Sequence, residues 1–184
     1  GEDRYEVATQ VEGEATLGED GRTVAIEGPG ERDHSWGRRA WTEAEWLWIS
    51  GSFDDGSAYN HLSAWLPGDG PPAAPPLITN GFWFDGDSVH AITDADVSPT
   101  PAFGVETART WVDEASPPAI DLTLSWAEGS AEIAVEPFAT TPVDWTDADA
   151  GRQAVLNRSP ATQTRDGEVA GRGFLENMTQ LPLD

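Results

Sequence analysis

The chain has 184 residues, with 33 acidic against 10 basic side chains and a formal net charge of −23 at pH 7. At this mass the folded surface is roughly 8,600 Å², or about one uncompensated negative charge per ~370 Å², which repels phosphate and argues against nucleic acid or anionic membranes as partners. Cysteine is absent, which excludes disulfide scaffolds, thiolate metal sites and cysteine nucleophiles.

Taken in order, the elements read as β throughout. The chain opens on Gly1, and Tyr5, Val7, Thr9 and Val11 already alternate with polar neighbours as a half-buried strand does. Leu17-Gly-Glu-Asp-Gly21 predicts a hairpin loop into a strand over 23–27. Trp46–Phe53 and Ser57–Trp65 flank Asp54-Asp55-Gly56, and Leu77–Phe84 and Ser88–Asp96 flank Asp85-Gly86-Asp87. A further strand is expected at Thr107–Val112. Ile120–Trp126 and Ala131–Pro137 flank Ala127-Glu-Gly-Ser130, and Ala154–Thr164 and Glu168–Thr179 flank Asp166-Gly167. Asp-Gly between alternating runs is a strong hairpin signal. Residues 40–48 allow at most a short helical turn, and no stretch holds helical periodicity. Residues 67–76 and 137–151 read as long loops, of the kind that form lids or mouths. Ten or so strands joined by short hairpins predict an antiparallel up-and-down barrel of about 8–10 strands around one ligand cavity, in a single domain over 1–184. A jelly-roll sandwich is the runner-up.

The least ordinary segment is Gly28-Pro-Gly-Glu-Arg-Asp-His-Ser-Trp-Gly37. In an extended backbone His34 and Trp36 share one face, and Asp33 and Ser35 the other. A carboxylate beside Arg32 stays ionised, whereas a histidine facing an apolar cavity has its pKa lowered. Next to it, Trp36 offers a π-face to a developing cation. On the strand over 57–65, Tyr59, His61, Ser63 and Trp65 share a second face. Turned inward, that face brings Tyr59 and His61 into the cavity of His34 and Trp36. The plainer alternative is that these are ordinary core or rim residues.

At this motif the chain resembles the lipocalin-like superfamily that includes hydroxyneurosporene synthase, a carotenoid hydratase. Asp33-His-Ser-Trp-Gly37 is similar to that group's Asp-His-Asn-Trp-Gly, and closer to a branch that carries the serine form. Gly171-Arg-Gly-Phe-Leu-Glu176 resembles the branch's final strand. The resemblance spans about 5–180 and implies two barrel halves, of which this chain is mainly the second, with an N-terminal half preceding it. It places the hydratase's histidine and tryptophan on His34 and Trp36, and its later Tyr-x-Asp pair on Tyr59-Asn60-His61. There a histidine stands where the catalytic acid is expected. Protonating an isolated alkene needs a strong acid in a dry pocket, and imidazolium is a weak candidate because burial removes its proton. Asp33 then becomes the acid, or the chemistry is milder.

Other signals weigh less. Asp85-Gly-Asp87, Asp94-Ala-Asp96 and Asp147-Ala-Asp149 fit no calcium loop. His34 and His61 have no close-spaced ligand pair, so neither a metal nor a cofactor is expected. Gly28-Pro-Gly30 lacks the helix of a phosphate loop, and Ser35 lacks a nucleophile elbow. Asn177-Met-Thr179 is a glycosylation sequon only in a secreted protein. Trp46, Trp48, Trp83 and Trp111 keep a sugar-stacking sandwich open as a third reading, although most barrel tryptophans are core.

The ten basic residues are all arginine. An acidic, lysine-free surface suits molar salt, where self-repulsion is screened within ~3 Å, so the expected source is a halophilic archaeon or, from codon usage, a GC-rich bacterium. No run approaches the ~20 apolar residues of a membrane helix and no signal peptide is visible, so a cytoplasmic location is expected. The expectation is therefore a barrel that binds a hydrophobic, isoprenoid or polyketide-like molecule. Its catalytic set is His34, Asp33, Tyr59 and His61, with Trp36, Trp65 and Arg32 lining the ligand. Hydration, cyclisation or isomerisation is the expected chemistry, and a non-catalytic lipid carrier the alternative.

Overall fold

The computed structural model describes residues 2–37, 42–68, 75–98, 118–149 and 151–182, and every regular element among them is a β-strand. The expected strand over 107–112 lies outside the described residues. The chain forms two compact units, Gly1–Arg39 and Ala40–Asp184.

The first unit is one antiparallel ribbon of β1 (Glu2–Leu17) and β2 (Arg22–Gly37), paired from Glu2↔Gly37 to Leu17↔Arg22. Gly18 and Gly21, at φ 67° and 68°, supply the left-handed backbone the turn requires. Both strands run longer than the alternation suggests, because Gly28-Pro29-Gly30 continues the ladder instead of ending it. In a two-stranded ribbon both strands are edges, where proline is tolerated. Gly30 leaves room for Val11, whose Cγ2 lies 2.5 Å from where a Cβ would stand. The period of two then sorts the ribbon: Tyr5, Val7, Val11, Val24 and Ile26 fall on one face, and Glu6, Glu12, Glu14, Glu27, Glu31 and Asp33 on the other.

The second unit holds β3 (Glu45–Phe53), β4 (Ala58–Trp65), β5 (Ile78–Phe84), β6 (Val89–Ala91), β7 (Asp94–Ser98), β8 (Ile120–Trp126), β9 (Gly129–Pro137), β10 (Thr141–Asp147), β11 (Arg152–Arg165) and β12 (Val169–Pro182). They form one ten-stranded sheet in the order β6-β5-β4-β3-β12-β11-β9-β8-β7, with β10 also on β11. Every strand pair is antiparallel. Apart from β6–β7 and β9–β10, consecutive strands are hydrogen-bonded neighbours and the last, β12, returns to β3, which is the connectivity of an up-and-down barrel and not of a jelly roll.

How the sheet curls follows from its two edges. The expected strand over 88–96 is two strands, β6 and β7, which sit at opposite ends of the strand order yet are separated only by Ile92 and Thr93. The Ile92 N–H donates to Gly81 of β5 (3.1 Å) and the Thr93 N–H to Ser125 of β8 (2.8 Å). Three Cα steps reach at most about 11 Å, so at this corner the sheet curls until its two edges lie within that distance. Across this seam Trp83 of β5 stacks on Trp126 of β8, with centroids 5.3 Å apart and planes at 6°. His90 follows, bonded to Asp85 at 2.9 Å and within 3.4 Å of Glu128 on the other hairpin.

A second difference concerns 137–151, expected as a loop. Val143 and Trp145 alternate well enough to form β10, which prolongs β9 along the same edge of β11. The ladder lapses between them, opposite Ser159-Pro160. Pro160 accepts the Phe138 N–H (3.1 Å) but has no N–H of its own to return.

The core lies on the inner face: Leu47 and Ile49 of β3, Tyr59 of β4, Leu122 and Leu124 of β8, Ile133 and Val135 of β9 and Leu175 of β12 are all buried there. Gly51 and Gly173 pair directly on that face. A Cβ at Gly173 would lie 2.0 Å from the Ser50 carbonyl oxygen and 2.1 Å from Gln163 Nε2. The two glycines admit the Gln163 side chain, which donates to that same carbonyl at 2.9 Å. Thus Gly171-x-Gly173-x-x-Glu176 has a packing role, and Glu176 serves the outer face by accepting from Trp46 Nε1 at 2.9 Å.

Candidate functional site

Register arranges the inner face in rows across four strands. One row is Ser63 (β4), Leu47 (β3), Asn177 (β12) and Asn157 (β11); the next is His61, Ile49, Leu175 and Ser159. Tyr59 follows His61 along β4, opposite Gly51. The period of two that places Tyr59, His61, Ser63 and Trp65 on one face is legible in the sequence, and that face is the inner one.

His61 is fully buried, and its Nε2 shares a 3.0 Å hydrogen bond with Ser63 Oγ. Burial pushes its pKa down to about 4, so the ring is neutral at pH 7. Whichever nitrogen holds the proton, Nδ1 has no partner. Tyr59 is buried against Phe53, whose ring stacks at 6.1 Å. Trp65 is also buried and faces Glu45 in the register. Glu45 is held by two backbone donors, Gln180 (2.9 Å) and Gly68 (3.2 Å).

Three residues of this interior were not singled out for it by sequence. Asn157 is wholly buried, and both its amide nitrogen and its carbonyl oxygen lack a partner. Asn177 Nδ2 and Thr179 Oγ1, also buried, lack partners too. A signal existed. Asn177 and Thr179, which together make the sequon, lie two apart on the inward phase of β12, and Asn157 and Ser159 do the same on β11. With its side chain inside the barrel, Asn177 presents no acceptor for a glycan.

The opposite end of the barrel is closed. Arg165 bonds Asp55 (2.8 Å), Ser57 Oγ (2.5 Å) and Asp166 (3.2 Å), and its guanidinium lies 5.5 Å from the centroids of both Phe53 and Trp83. Burial alone would raise the Asp55 pKa, but hydrogen bonds from Ser57 and Arg165 outweigh it and hold the carboxyl below its ordinary value.

The motif of β2 belongs to the first unit. His34 stacks on Tyr5 (5.4 Å, 9°), Trp36 tilts against His34 at 5.3 Å, and Arg32 lies 5.7 Å from the Tyr5 centroid. Asp33 falls on the other face, opposite Glu6. The structure therefore groups Arg32, His34 and Trp36 on the ribbon and Tyr59, His61 and Trp65 in the barrel. Among the described residues no three metal-binding side chains come together, and no helix is long and apolar enough to cross a membrane.

A family model matches residues 1–181. The chain belongs to the family described as Domain of unknown function (DUF7064). No curated protein matches it. Two solved structures share the fold of this DUF7064 chain. One is a Nitrosomonas europaea protein provisionally named AttH, at 24% identity and a TM-score of 0.64, covering 95% of this chain and 51% of its own. The other is kievitone hydratase from Nectria haematococca, at 15% identity and a TM-score of 0.53, covering 96% of this chain and 52% of its own. The chain thus spans about half the length of these structures. The lipocalin-like fold is shared with a named hydratase.

Proposed function

We propose that the barrel of this DUF7064 chain binds a hydrophobic small molecule, of isoprenoid or polyketide type, and promotes its hydration or a related isomerisation or cyclisation. The observation that carries this reading is His61: a neutral imidazole, buried in an apolar barrel beside Tyr59, with a ring nitrogen left without a partner. Such a group holds no proton to give at pH 7 and is a weaker base than free imidazole, yet it is basic enough to deprotonate the strongly acidic oxonium formed when water adds to a carbocation. In hydration a proton adds to one alkene carbon and water oxygen to the other, and the second water proton must leave. His61 Nδ1 is suited to take that proton and release it before the next turnover. Asp33 and His34 of the first unit are the candidates that the sequence suggests for the acid, and Tyr59 within the barrel is suited to stabilise positive charge. The shared fold with kievitone hydratase supports the reaction class, as does the resemblance of Asp33-His-Ser-Trp-Gly37 to the carotenoid hydratase's Asp-His-Asn-Trp-Gly.

The second reading is a non-catalytic carrier, favoured by the histidine at the position of the expected acid. Native mass spectrometry of protein purified from its host tests both readings, since a retained apolar molecule is expected in each. Incubating that molecule with the protein then separates them. In an enzyme, His61→Ala binds it and no longer converts it; conversion at the wild-type rate in His61→Ala removes His61 from the mechanism. If the wild type leaves the molecule unchanged, the protein is a carrier. Asp33→Asn tests the acid in the same assay.

A further inference from the structure

Native interiors pair nearly all their polar groups, and each buried one left without a partner costs about 1–3 kcal/mol. The described barrel breaks this rule most densely in one patch. Asn157 and Asn177 face each other across β11 and β12, with Thr179 two residues further along β12 on the same face. Between them they leave two amide nitrogens, one amide oxygen and one hydroxyl, all buried, without partners. Chance packing of apolar strands does not need three polar side chains in one inward patch, and Leu or Val fit the strand as well or better.

The chemistry of the patch is specific. It offers two amide donors, one amide acceptor and a hydroxyl that does either, and no formal charge. Among the described residues the inward-facing arginine of the barrel is Arg165, held by Asp55 and Asp166 at the other end. The nearest ionisable groups along the sheet are Glu45, an acid, and His61, neutral at pH 7. Among the described residues a carboxylate buried here meets no cation and has an acid for a neighbour, which is costly. A carbonyl or hydroxyl oxygen would meet donors and an acceptor. In the register Leu47 separates Asn177 from Ser63, so the patch lies two strand spacings (Asn177) to three (Asn157), about 10–14 Å, from the His61–Ser63 pair along the curled sheet.

We infer that Asn157, Asn177 and Thr179 form an anchor subsite for a neutral oxygenated group, a ketone or alcohol, on an otherwise apolar ligand, and that the site discriminates against both fatty-acid carboxylates and plain hydrocarbons. This rests on the proposed reading of the barrel as a ligand site and narrows its ligand class.

The test is a matched panel of dodecan-2-one, dodecan-1-ol, dodecane and dodecanoate, titrated at pH 8 into the full chain. Binding is read by displacement of a solvatochromic probe and by tryptophan fluorescence. The ketone and alcohol are expected to bind at least about tenfold more tightly than dodecane or dodecanoate, as expected for one or two net hydrogen bonds. Dodecanoate or dodecane binding as tightly as the ketone overturns the anchor and leaves the barrel a ligand site. If none of the four binds, the ligand-site reading falls and the anchor with it. Asn157→Leu and the near-isosteric Thr179→Val are each expected to erase or reduce the preference while dodecane still binds, and to raise the melting temperature of the ligand-free protein by removing unpaired groups. An undiminished preference in Thr179→Val together with a lowered melting temperature in both variants assigns these residues to structure and overturns the proposal.

Discussion

The two ends of the barrel are built from the same strands and differ in how far they satisfy their polar groups. At one end Arg165 enters the interior and every arm of its guanidinium is answered, by Asp55, Ser57 and Asp166, with Phe53 and Trp83 against its plane. Away from it, Asn157, Asn177, Thr179 and the Nδ1 of His61 are buried and unanswered, as is the Oε1 of Gln163 beside Gly51 and Gly173. Saturated polar groups stabilise a fold; unsaturated ones cost stability and persist where something else uses them. The contrast separates a structural plug from a candidate site without reference to any relative.

The contrast can be broken or sharpened in graded steps. The largest effect is expected of Gly173→Ala beside the plug. Its Cβ would sit 2.0 Å from a backbone oxygen, and a loss of about 3 kcal/mol or more is expected in urea denaturation. Unchanged stability would mean that β3 and β12 do not pack as described.

Next comes Arg165→Leu, which leaves Asp55 without its cation and removes the contacts to Phe53 and Trp83. Because Asp55 is partly exposed, the loss is about 1–3 kcal/mol. An equal loss in Asn157→Leu would erase the distinction between the two ends.

The third step is titration. The folded pKa of His61 is lowered from 6.5 to about 4, so between those values the unfolded chain binds the extra proton. Stability then rises with pH across that window and falls as pH drops from about 6.5 to 4, by up to roughly 3 kcal/mol. His61→Gln flattens that slope. An unchanged slope places the buried titration elsewhere.

The smallest effect is at the seam. The Asp85 hydrogen bond and charge, assisted by Glu128, raise the His90 pKa. Its contribution is therefore present below about 6.5 and fades as pH rises through the folded value. His90→Gln should remove a small alkaline-side loss, opposite in sign to that of His61 and screened by salt.

Much of the fold is legible in the residues. Asp54-Asp-Gly56, Asp85-Gly-Asp87 and Asp166-Gly167 mark hairpins that the structure contains, since few other residues accept the turn backbone they supply. What misled was local. Ser88–Asp96 alternates smoothly, but the chain changes edges at Ile92-Thr93 because closing the sheet requires it. Asp- and Thr-rich 141–147 looks like a loop, and pairing with β11 makes it a strand. On the site, alternation alone puts Tyr59, His61, Ser63 and Trp65 on one face, as it puts His34 with Trp36. It does not reveal that Asn157 opposes Asn177, because that follows from the β11–β12 register and from the return of β12 to β3.

By itself the sequence determined the β class, the hairpin positions and which residues share a strand face, since these depend on turn chemistry and a period of two. Only the tertiary structure decided which face is inside, where the sheet closes and which polar groups find partners. Those outcomes depend on pairings between residues far apart in the chain, such as Glu45 with the Gln180 backbone, 135 positions on, and no local pattern encodes the solution.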